Sequence, residues 1–477
     1  MKAASGDWKL LALLVVITVA KGLVWMSAFP PFKIADEPSH FENVQYRAEN
    51  FRAPRFEEGK KPAGPVMHER AAPEVSLLWS ATNHYRRKTY LPGTYTVPEE
   101  AELERLGKTA EGRDGDGQIS SVGYPGFYYS CGVVPYLLFH THSVLARLMA
   151  VRCLSLFFGV LAVLATFLAA RLTFDSRALA FAAAWIVVMQ PMESQQTIAV
   201  NNDAAVIGLS ALIYYLQLRM LSDLPSVKPR LAIALAILAG CNVLSKPTGW
   251  AMTCGCALIV VFAVLGNLRS RRTWMKVGIT STLFLGLVST YVWKLYRAGR
   301  LLPGDLSAPS RYAPDSFFAF LSDMRDDYKT YLFRSAWGQF GWLDHSLSGD
   351  WQLLILKAGL LAKLGLVAVV VMILFSPFED RRWLNARAFF WSVATAATAI
   401  GFVLFAEYRF RILGLVGVIQ GRNFLFGLPA FAVVVAACLG AMVPQRYRPI
   451  TAAAIITGAF ALNLGALHTI MWFHYAG

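Results

Sequence analysis

Long apolar runs, separated by short polar and basic turns, recur along almost the whole sequence. Most of them approach or exceed the roughly 20 residues that a helix needs to cross a bilayer core of about 30 Å. Two stretches without such runs, about 30–145 and 295–350, are long loops. The pattern therefore predicts an all-α polytopic membrane protein with about 11 transmembrane helices, at approximately residues 8–29, 146–172, 177–192, 203–221, 231–246, 248–266, 277–294, 351–376, 388–406, 424–442 and 450–471.

Basic clusters indicate a topology for these helices. With the amino end in the cytoplasm, RSRRTWMK (269–276), EDRRWLNAR (379–387) and QRYR (445–448) all fall on the cytoplasmic side, as the positive-inside rule requires. The carboxyl end and both long loops then lie outside the cytoplasmic membrane. The sequence is 56% hydrophobic and 16% charged, and its formal net charge is +15. The basic residues that give this charge cluster in the predicted cytoplasmic turns, as membrane topology requires, so nucleic acid is not expected as a partner.

The first apolar run has a second interpretation, a cleaved secretory signal. Lys21 breaks the run, and no A-x-A cleavage site follows it. An uncleaved first transmembrane helix is therefore the favoured prediction.

Aromatic residues concentrate at the end of the first outside loop. YPGFYYSCGVVPYLLFH (124–140) is too short and too interrupted by proline for a comfortable span. It predicts a helix that lies in the membrane interface. Because binding residues concentrate in loops held by a rigid scaffold, the functional residues are expected in the two outside loops and at the adjacent helix ends.

The first outside loop opens with the acidic stretch DEPSHF (36–41), directly after the first apolar run. Asp36 can cap a helix whose first turn contains Pro38. On that helix His40 is four residues from Asp36 and three from Glu37, so the three side chains can share a face. They predict either a capped, solvated helix start or a catalytic group, in which Asp36 takes a proton from a hydroxyl at the headgroup level. The three side chains could instead bind a divalent metal, Mg or Mn, as the one cofactor that the sequence suggests.

Basic side chains on the same predicted face could neutralise the charge of a phosphate. Arg422, in QGRN, stands where the chain re-enters the membrane and is the first candidate, ahead of Lys246 in SKPTG. Arg409 and Arg411, in EYRFR, precede it in the same loop. Each of these cations could alternatively be a snorkelling anchor at the end of a span.

Amide, acidic and aromatic side chains on this face are candidates for sugar or acceptor binding. Aromatic rings stack on sugar faces, and amides form hydrogen bonds with hydroxyls. Structural alternatives remain, because Asp203 can cap the fourth transmembrane helix and tryptophan is frequent at membrane interfaces. The candidates are Asn201, Asn202, Asp203, Trp337, Trp342, Asp344 and Gln420, with His345 beside Asp344.

An acidic motif just after the first span, followed by an aromatic segment before the second, resembles the GT-C superfamily of membrane glycosyltransferases, which use polyprenyl-phosphate sugars. More closely, the chain resembles a bacterial branch catalogued as predicted membrane proteins of undefined function. That likeness rests on motifs spread over nearly the whole chain: DEPSHF (36–41), NND (201–203), LSKPT (244–248), WGQFGWLD (337–344) and GVIQGRNFLFGLP (417–429).

The resemblance implies that the acid of the first loop, Asp36 in preference to Glu37, is the catalytic residue. It also implies a GT-C-like catalytic transmembrane module at 1–294, which includes the first outside loop at 30–145, and a more variable part at 295–477. One departure is Asn423, since the related pattern often has an aromatic residue after QGR. This departure bears on substrate specificity.

Together these features predict a glycosyltransferase that transfers one sugar from a polyprenyl-phosphate donor to a glycan or lipid acceptor of the cell envelope, at the outer face of the cytoplasmic membrane. A single base without a covalent nucleophile predicts inversion at the anomeric carbon. The main alternative is a transporter or flippase of lipid-linked saccharides, which would place its polar residues nearer to the membrane midplane. A non-catalytic scaffold would not explain so many polar motifs on one face.

Overall fold

The computed structural model describes residues 7–54, 72–84, 97–115, 120–224, 228–266, 270–297, 314–324, 326–375, 383–412 and 419–476. Most of these residues are helical. Part of the basic turn at 379–387 and the first part of the second long loop lie outside the described residues. Two short strands, β1 (Gln339–Phe340) and β2 (His345–Ser346), pair as an antiparallel hairpin in the second loop.

The helices fall into two groups along the chain. Those before the second long loop are α1 (Asp7–Ala28), α2 (Glu37–Asn50), α3 (Pro73–His84), α4 (Val97–Lys108), α5 (Ala110–Arg113), α6 (Phe127–Leu138), α7 (Val144–Thr173), α8 (Arg177–Met189), α9 (Pro191–Gln196), α10 (Asn202–Asp223), α11 (Pro229–Val243), α12 (Trp250–Leu265) and α13 (Arg271–Arg297). Those within and after that loop are α14 (Phe317–Asp323), α15 (Asp326–Trp337), α16 (Gly349–Phe375), α17 (Ala386–Ile412), α18 (Leu428–Ala441) and α19 (Arg448–Met471).

Each of the eleven predicted spans coincides with one of these helices. Among the described residues, nine helical segments are long and apolar enough to cross a membrane, whereas α8 and α11 are shorter apolar helices. The predicted interfacial segment forms α6, which is also short and apolar. The all-α membrane architecture is therefore confirmed, while the number of helices that span the bilayer remains a prediction.

Helix α7 is central to the bundle and packs against α1, α8 and α10. Its start is capped by Ser143, whose Oγ accepts from the N–H of Ala146 at 3.3 Å. Close approach to α10 requires Gly208, because a Cβ there would lie 2.6 Å from the carbonyl oxygen of Phe158. By contrast, α16 and α13 keep many large apolar side chains exposed, as expected of helices that face lipid.

The described parts of the first long loop are folded onto one end of the bundle. Helices α2, α3 and α6 share a hydrophobic cluster with the start of α7, formed around Phe41, Trp79 and Tyr136. The hairpin of β1 and β2 approaches the same end, where Trp342 packs edge-on against Trp79 with ring centroids 5.1 Å apart. The two long loops therefore meet above the ends of α1, α10 and α11.

Candidate active site

Asp36 and Arg422 form the centre of the candidate site. Asp36 lies between α1 and α2, and Arg422 lies in the 3₁₀ segment Gly421–Gly427 that leads into α18. Arg422 Nη2 donates to Asp36 Oδ2 at 2.5 Å. The Asp36 side chain is 42% exposed and that of Arg422 is 11% exposed. The structure thus brings the predicted base into contact with the first phosphate candidate.

The backbone of the loop sets the direction of the Asp36 side chain. Asp36 has φ 65° and ψ −4°, a left-handed conformation that is uncommon for residues other than glycine. Phe32, in the same loop, is also left-handed, with φ 60°. Although Asp36 occupies the N-cap position of α2, its side chain makes no capping hydrogen bond. The predicted capping role is therefore wrong, because the left-handed turn directs the carboxylate to Arg422.

Charges around Asp36 keep its carboxyl group ionised. Burial acts to raise the pKa of Asp36, but the positive charges around it, Arg422 first, hold that pKa below the ordinary value of 3.8. Lys246 adds to this effect. Asp36 is consequently a carboxylate at neutral pH, as a general base must be.

Glu37 is directed into the protein interior. Its carboxylate is fully buried and accepts from Arg152 Nε at 2.8 Å and from Arg152 Nη2 at 2.7 Å. The backbone N–H of Val200 and a second backbone N–H donate to the same group. Two donors from Arg152 and two backbone N–H groups thus bind this buried carboxylate, which forms a structural ion pair with Arg152. The predicted common face of Asp36, Glu37 and His40 is therefore not formed.

His40 is buried beside Asp36 as a neutral group. Its Nδ1 lies 2.7 Å from the hydroxyl oxygen of Tyr129, and its ring centroid lies 5.7 Å from those of Tyr129 and Tyr124. Burial lowers the pKa of His40 to about 4, against the attraction of Asp36 and Asp203. The imidazole thus carries no charge at neutral pH.

The three residues predicted as metal ligands do not fit a metal site. Glu37 is occupied by Arg152, and His40 uses one ring nitrogen for Tyr129. Within the described ranges, no three side chains of His, Cys, Asp or Glu lie close enough to hold a metal ion. A Mg or Mn site built from Asp36, Glu37 and His40 therefore has no support in the geometry.

Lys246 is held beside the centre by two side chains. Its Nζ donates to Asp203 Oδ1 at 2.6 Å and to Asn423 Oδ1 at 3.1 Å. Asn423 follows Arg422 in the chain, so this hydrogen bond connects Lys246 to the segment that carries Arg422. Asp203 pairs with Lys246, and the α10 N-cap is Asn201, whose Oδ1 accepts from the Asp203 N–H at 2.9 Å. The predicted capping role of Asp203 is therefore wrong.

Asn202 and Gln420, two further amides predicted to bind sugar or acceptor, each keep one side-chain oxygen without a hydrogen bond in the described part of the chain. Asn202 Nδ2 donates to the carbonyl of Ser245 at 3.0 Å and ties α10 to the SKPTG turn. Its Oδ1, like Oε1 of Gln420, is buried without a hydrogen-bond partner among the described residues. Both amides thus retain an unpaired acceptor.

Arg422 retains unpaired donors. Its Nε and Nη1 are buried and have no hydrogen-bond partner in the described part of the chain. The segment that carries Arg422 is firmly seated, because the N–H of Gly421 donates to Ser335 Oγ at 2.7 Å. A guanidinium whose Nε and Nη1 keep free N–H groups beside a carboxylate can donate charge-assisted hydrogen bonds to a phosphate.

The other two candidate cations lie elsewhere on α17. Arg411 Nε is 3.4 Å from Glu407 Oε1, and its guanidinium lies over the rings of Phe320 and Tyr328. Arg409 is half-buried near the end of α17. Neither is among the charges that act on Asp36. The structure does not bring them to the Asp36 carboxylate.

The predicted sugar-stacking tryptophans are packed against the protein. Trp342 Nε1 donates to the carbonyl of Phe32 at 3.2 Å, and its ring contacts Trp79. Trp337 packs edge-on against Phe431 and lines an apolar cavity. Asp344 is partly exposed, and its Oδ1 accepts a hydrogen bond from Nδ1 of the adjacent His345 at 2.7 Å.

An apolar cavity of about 280 Å³ lies against the segment that carries Arg422. It lies between α15, α17, α18 and the segment that carries Arg422. Gly421, the neighbour of Arg422, is part of its lining. The cavity therefore reaches the residue that precedes Arg422 in the chain, and it is otherwise lined mostly by hydrophobic side chains, including those of Ala336, Trp337, Ala396 and Phe431.

Sequence reasoning missed several residues that build this site. Arg152 holds Glu37, Tyr129 contacts His40, and Asn423 contacts Lys246. The signal for Arg152 was available, because a charged residue inside an apolar run is expensive and is usually paired. Asn423 was recognised only as a departure from a pattern, and nothing in the sequence pointed to Tyr129 as the partner of His40.

Solved structures resemble this chain in fold. ArnT from Cupriavidus metallidurans, bound to undecaprenyl phosphate, is similar with a TM-score of 0.50 and 12% identity, over 98% of this chain and 77% of ArnT. An oligosaccharyltransferase from Archaeoglobus fulgidus, in complex with Zn and sulfate, is similar with a TM-score of 0.48 and 15% identity, over 98% of this chain and 53% of the other. The chain thus spans about half the length of that oligosaccharyltransferase. The likeness to ArnT, a GT-C glycosyltransferase, confirms the GT-C-like fold.

Family membership rests on the sequence itself. No curated protein matches the chain. A family model described as "Predicted membrane protein (DUF2142)" matches residues 20–434. That range includes all the motifs on which the closer resemblance was based. The chain therefore belongs to the DUF2142 family of membrane proteins.

Proposed function

We propose that this protein is a membrane glycosyltransferase that transfers one sugar from a polyprenyl-phosphate donor to an acceptor hydroxyl of the cell envelope, at the outer face of the cytoplasmic membrane. The observation that carries the proposal is the contact between Asp36 and Arg422, together with the two unpaired donors of Arg422. A base and a phosphate-binding cation lie side by side, as transfer from a lipid phosphate requires.

The proposed reaction is a single displacement. The Asp36 carboxylate takes the proton of the acceptor hydroxyl while the hydroxyl oxygen forms a bond to the anomeric carbon. The bond between that carbon and the phosphate oxygen breaks, and its electron pair leaves with the lipid phosphate. Arg422 and Lys246 stabilise the negative charge that develops on this leaving group. One displacement inverts the anomeric configuration.

Binding of the donor would also make Asp36 a stronger base. In the free protein, Arg422 keeps the pKa of the Asp36 carboxyl low, which limits its affinity for a proton. A phosphate bound to Arg422 would share that positive charge and raise the pKa of Asp36. The base would thus be activated only when the donor is in place.

The apolar cavity supplies a place for the lipid part of the donor. Its lining includes Gly421, which precedes Arg422 in the chain, so we place the phosphate on the guanidinium and the lipid chain in the cavity. Its apolar lining would give the chain surroundings as apolar as the bilayer that it leaves. A charged head site joined to an apolar cavity favours a lipid-phosphate donor over a water-soluble nucleotide sugar.

The test is a transfer assay with purified protein in proteoliposomes, supplied with a radiolabelled polyprenyl-phosphate sugar and an envelope glycan fraction. We expect wild type to move label to the acceptor fraction and Asp36→Asn to do so at least about a hundredfold more slowly, since general base catalysis is worth that much. Asp350→Asn, at an exposed carboxylate on α16, is the matched control and should transfer normally.

Two results would contradict the proposal. Undiminished transfer by Asp36→Asn would show that Asp36 is not the base. A product of retained anomeric configuration would show that the reaction is not a single displacement. If wild type instead moved the intact labelled donor between bilayer leaflets without transferring the sugar, the transporter alternative would replace the glycosyltransferase.

A further inference from the structure

A buried glutamine on α9 is connected to Asp36 through the backbone of the second long loop. Gln195 is 1% exposed, and its Oε1 accepts from the N–H of Gly341 at 3.0 Å. The carbonyl of Gly341 in turn accepts from the N–H of Ala35 at 3.3 Å. Ala35 immediately precedes Asp36, so two hydrogen bonds lead from Gln195 to the left-handed turn of the base.

Gly341 occupies a backbone position that another residue would not fit. Its φ is +63°, and a Cβ there would lie 2.6 Å from Asp344 Oδ1 and 3.3 Å from the carbonyl oxygen of Lys33. The absence of a side chain lets the two loops approach closely enough to share a backbone hydrogen bond. A second contact, from Trp342 Nε1 to the carbonyl of Phe32, holds the same loop on its other side.

Helix α9 is itself fixed within the bundle. Lys21 of α1 donates to Ser194 Oγ at 3.0 Å and pairs with Glu193 Oε2 at 3.4 Å. Asn463 of α19 also donates to Ser194 Oγ, at 3.0 Å. Gln195 follows directly in the chain, so its side chain projects from a helix that polar contacts with α1 and α19 hold in one position.

We propose that Gln195 is a positioning residue for the transfer reaction, which holds the Asp36 carboxylate in register with Arg422 through Gly341 and Ala35. This inference rests on the proposed function. The physical reason is the left-handed backbone of Asp36 and Phe32, since such conformations persist only where the surroundings over-determine them. Gln195 satisfies the N–H of Gly341 in the interior and thereby fixes the loop against which Ala35 is bonded.

The decisive comparison uses two substitutions at the same site. Gln195→Met matches the length of the side chain but removes the acceptor, whereas Gln195→Glu retains an acceptor oxygen for Gly341. We expect Gln195→Met to lower kcat roughly ten- to a hundredfold, the effect of a small misplacement of a catalytic group, with a much smaller change of KM for the donor. Gln195→Glu should recover most of this loss.

The pH dependence of kcat/KM provides a readout that a general loss of stability would not move. Asp36 is faced by Arg422 from the segment before α18, by Lys246 from the SKPTG turn and by His40 from α2. If the loop shifts and the contact with Arg422 lengthens, the acidic limb of the profile should move to higher pH in Gln195→Met. It should stay in place in Gln195→Glu.

Gln217→Met is the matched control for the loss of a buried amide. Gln217 is fully buried on α10, and its partners are Met252, Cys256 and Trp391, remote from Asp36. We expect this variant to lower the melting temperature without shifting the acidic limb. If Gln195→Met fails to accumulate as folded protein, Gln195→Asn, which is one methylene shorter, withdraws the acceptor from Gly341 and serves the same comparison.

The outcomes separate the two proposals. Wild-type protein without transfer activity would contradict the proposed function. Active wild type, with Gln195→Met or Gln195→Asn showing an unchanged kcat and an unchanged acidic limb, would overturn the positioning role alone. An equal shift of the acidic limb in Gln217→Met would also overturn it.

Discussion

Arg422 Nη2 lies 2.5 Å from Asp36 Oδ2, although 386 residues separate the two in the chain. Arg422 keeps its Nε and Nη1 unpaired within the described structure. The contact therefore leaves the cation able to take a second anion without releasing the first. Four predictions rest on this relationship, and a fifth rests on the apolar cavity.

Replacing Arg422 should weaken donor binding and slow transfer together. Hydrogen bonds to a charged group contribute about 1.5–3 kcal/mol each, so Arg422→Gln should lower kcat/KM for the donor by at least roughly tenfold to a hundredfold. Arg422→Lys should recover only part of the loss, since an ammonium cannot bind two oxygens in the planar geometry of a guanidinium. Initial rates over a range of donor concentrations measure both effects.

The control for Arg422 is Arg334→Gln. Arg334 is an exposed cation on α15 whose Nε donates to Gln352 Oε1 at 3.1 Å. It should leave the donor kinetics unchanged. A normal KM and kcat in Arg422→Gln would show that another group binds the phosphate.

The adjacent carboxylates Asp36 and Glu37 should give opposite phenotypes. Glu37→Gln leaves the buried Arg152 without its counter-ion, and loss of one partner of such a pair costs about 3–5 kcal/mol. Its thermal unfolding in detergent should occur at a clearly lower temperature than that of wild type. Asp36→Asn should unfold near the wild-type temperature, because the Asp36 carboxylate is partly exposed, yet it should transfer sugar at least about a hundredfold more slowly than wild type.

A reversal of this pattern would show that the assignment of the two acids is wrong. If Glu37→Gln were stable and inactive while Asp36→Asn were stable and active, Glu37 would be the base.

The rate should depend weakly on pH across the neutral range. Burial would raise the pKa of Asp36, but the positive charges led by Arg422 hold it below 3.8, so the carboxylate persists until the pH falls well below the neutral range. Burial lowers the pKa of His40 to about 4, so no inflection from this histidine is expected near 6.5. We therefore expect a flat profile of kcat/KM between about pH 5 and pH 8, the range in which an unperturbed histidine would titrate.

Removing the charge of Arg422 should change that profile in a defined direction. Without it the pKa of Asp36 rises, and activity is lost as the pH falls through this higher value. The acidic limb of Arg422→Gln should thus lie at higher pH than that of wild type. A limb at unchanged or lower pH would mean that the titrating base is not next to Arg422.

Filling the apolar cavity should discriminate between donors by the length of their lipid chain. Ala396 of α17 lines the cavity, and Ala396→Trp would occupy part of its volume. We expect the KM of this variant to rise more for a long polyprenyl-phosphate sugar than for a short-chain analogue, because the indole ring would exclude part of the longer chain from the cavity. Ala397→Trp, at the exposed neighbouring position, is the control and should not change the ratio of the two KM values.

An equal rise of KM for both donors would indicate that the cavity does not hold the lipid chain. An unchanged KM for both would have the same meaning, provided that Ala396→Trp folds with wild-type yield.

Among the site residues, Asp36 and Arg422 could be chosen from the sequence because each is a charged side chain at the edge of an apolar run. The same argument placed Lys246 near them, and the structure joins it to Asn423 beside Arg422. Whether these residues act as base and phosphate ligands remains a prediction for the assays above. Arg411 satisfied the same criterion, yet it pairs with Glu407 on its own helix. A one-dimensional pattern cannot separate these cases, because a charge at a span end can turn toward the site or along its own helix.

What the sequence by itself determined is the architecture. Apolar runs of bilayer length leave a helix as the stable structure, since backbone groups in lipid must be paired within the segment. All eleven predicted spans accordingly coincide with helices. What only the tertiary structure decided is the role of each side chain at the end of the bundle: the left-handed turn that directs Asp36 to Arg422, the burial of Glu37 on Arg152, and the approach of Gly341 to Ala35. These depend on contacts between residues more than a hundred positions apart, and no local periodicity encodes which of two adjacent carboxylates is partly exposed beside Arg422 and which is buried against Arg152.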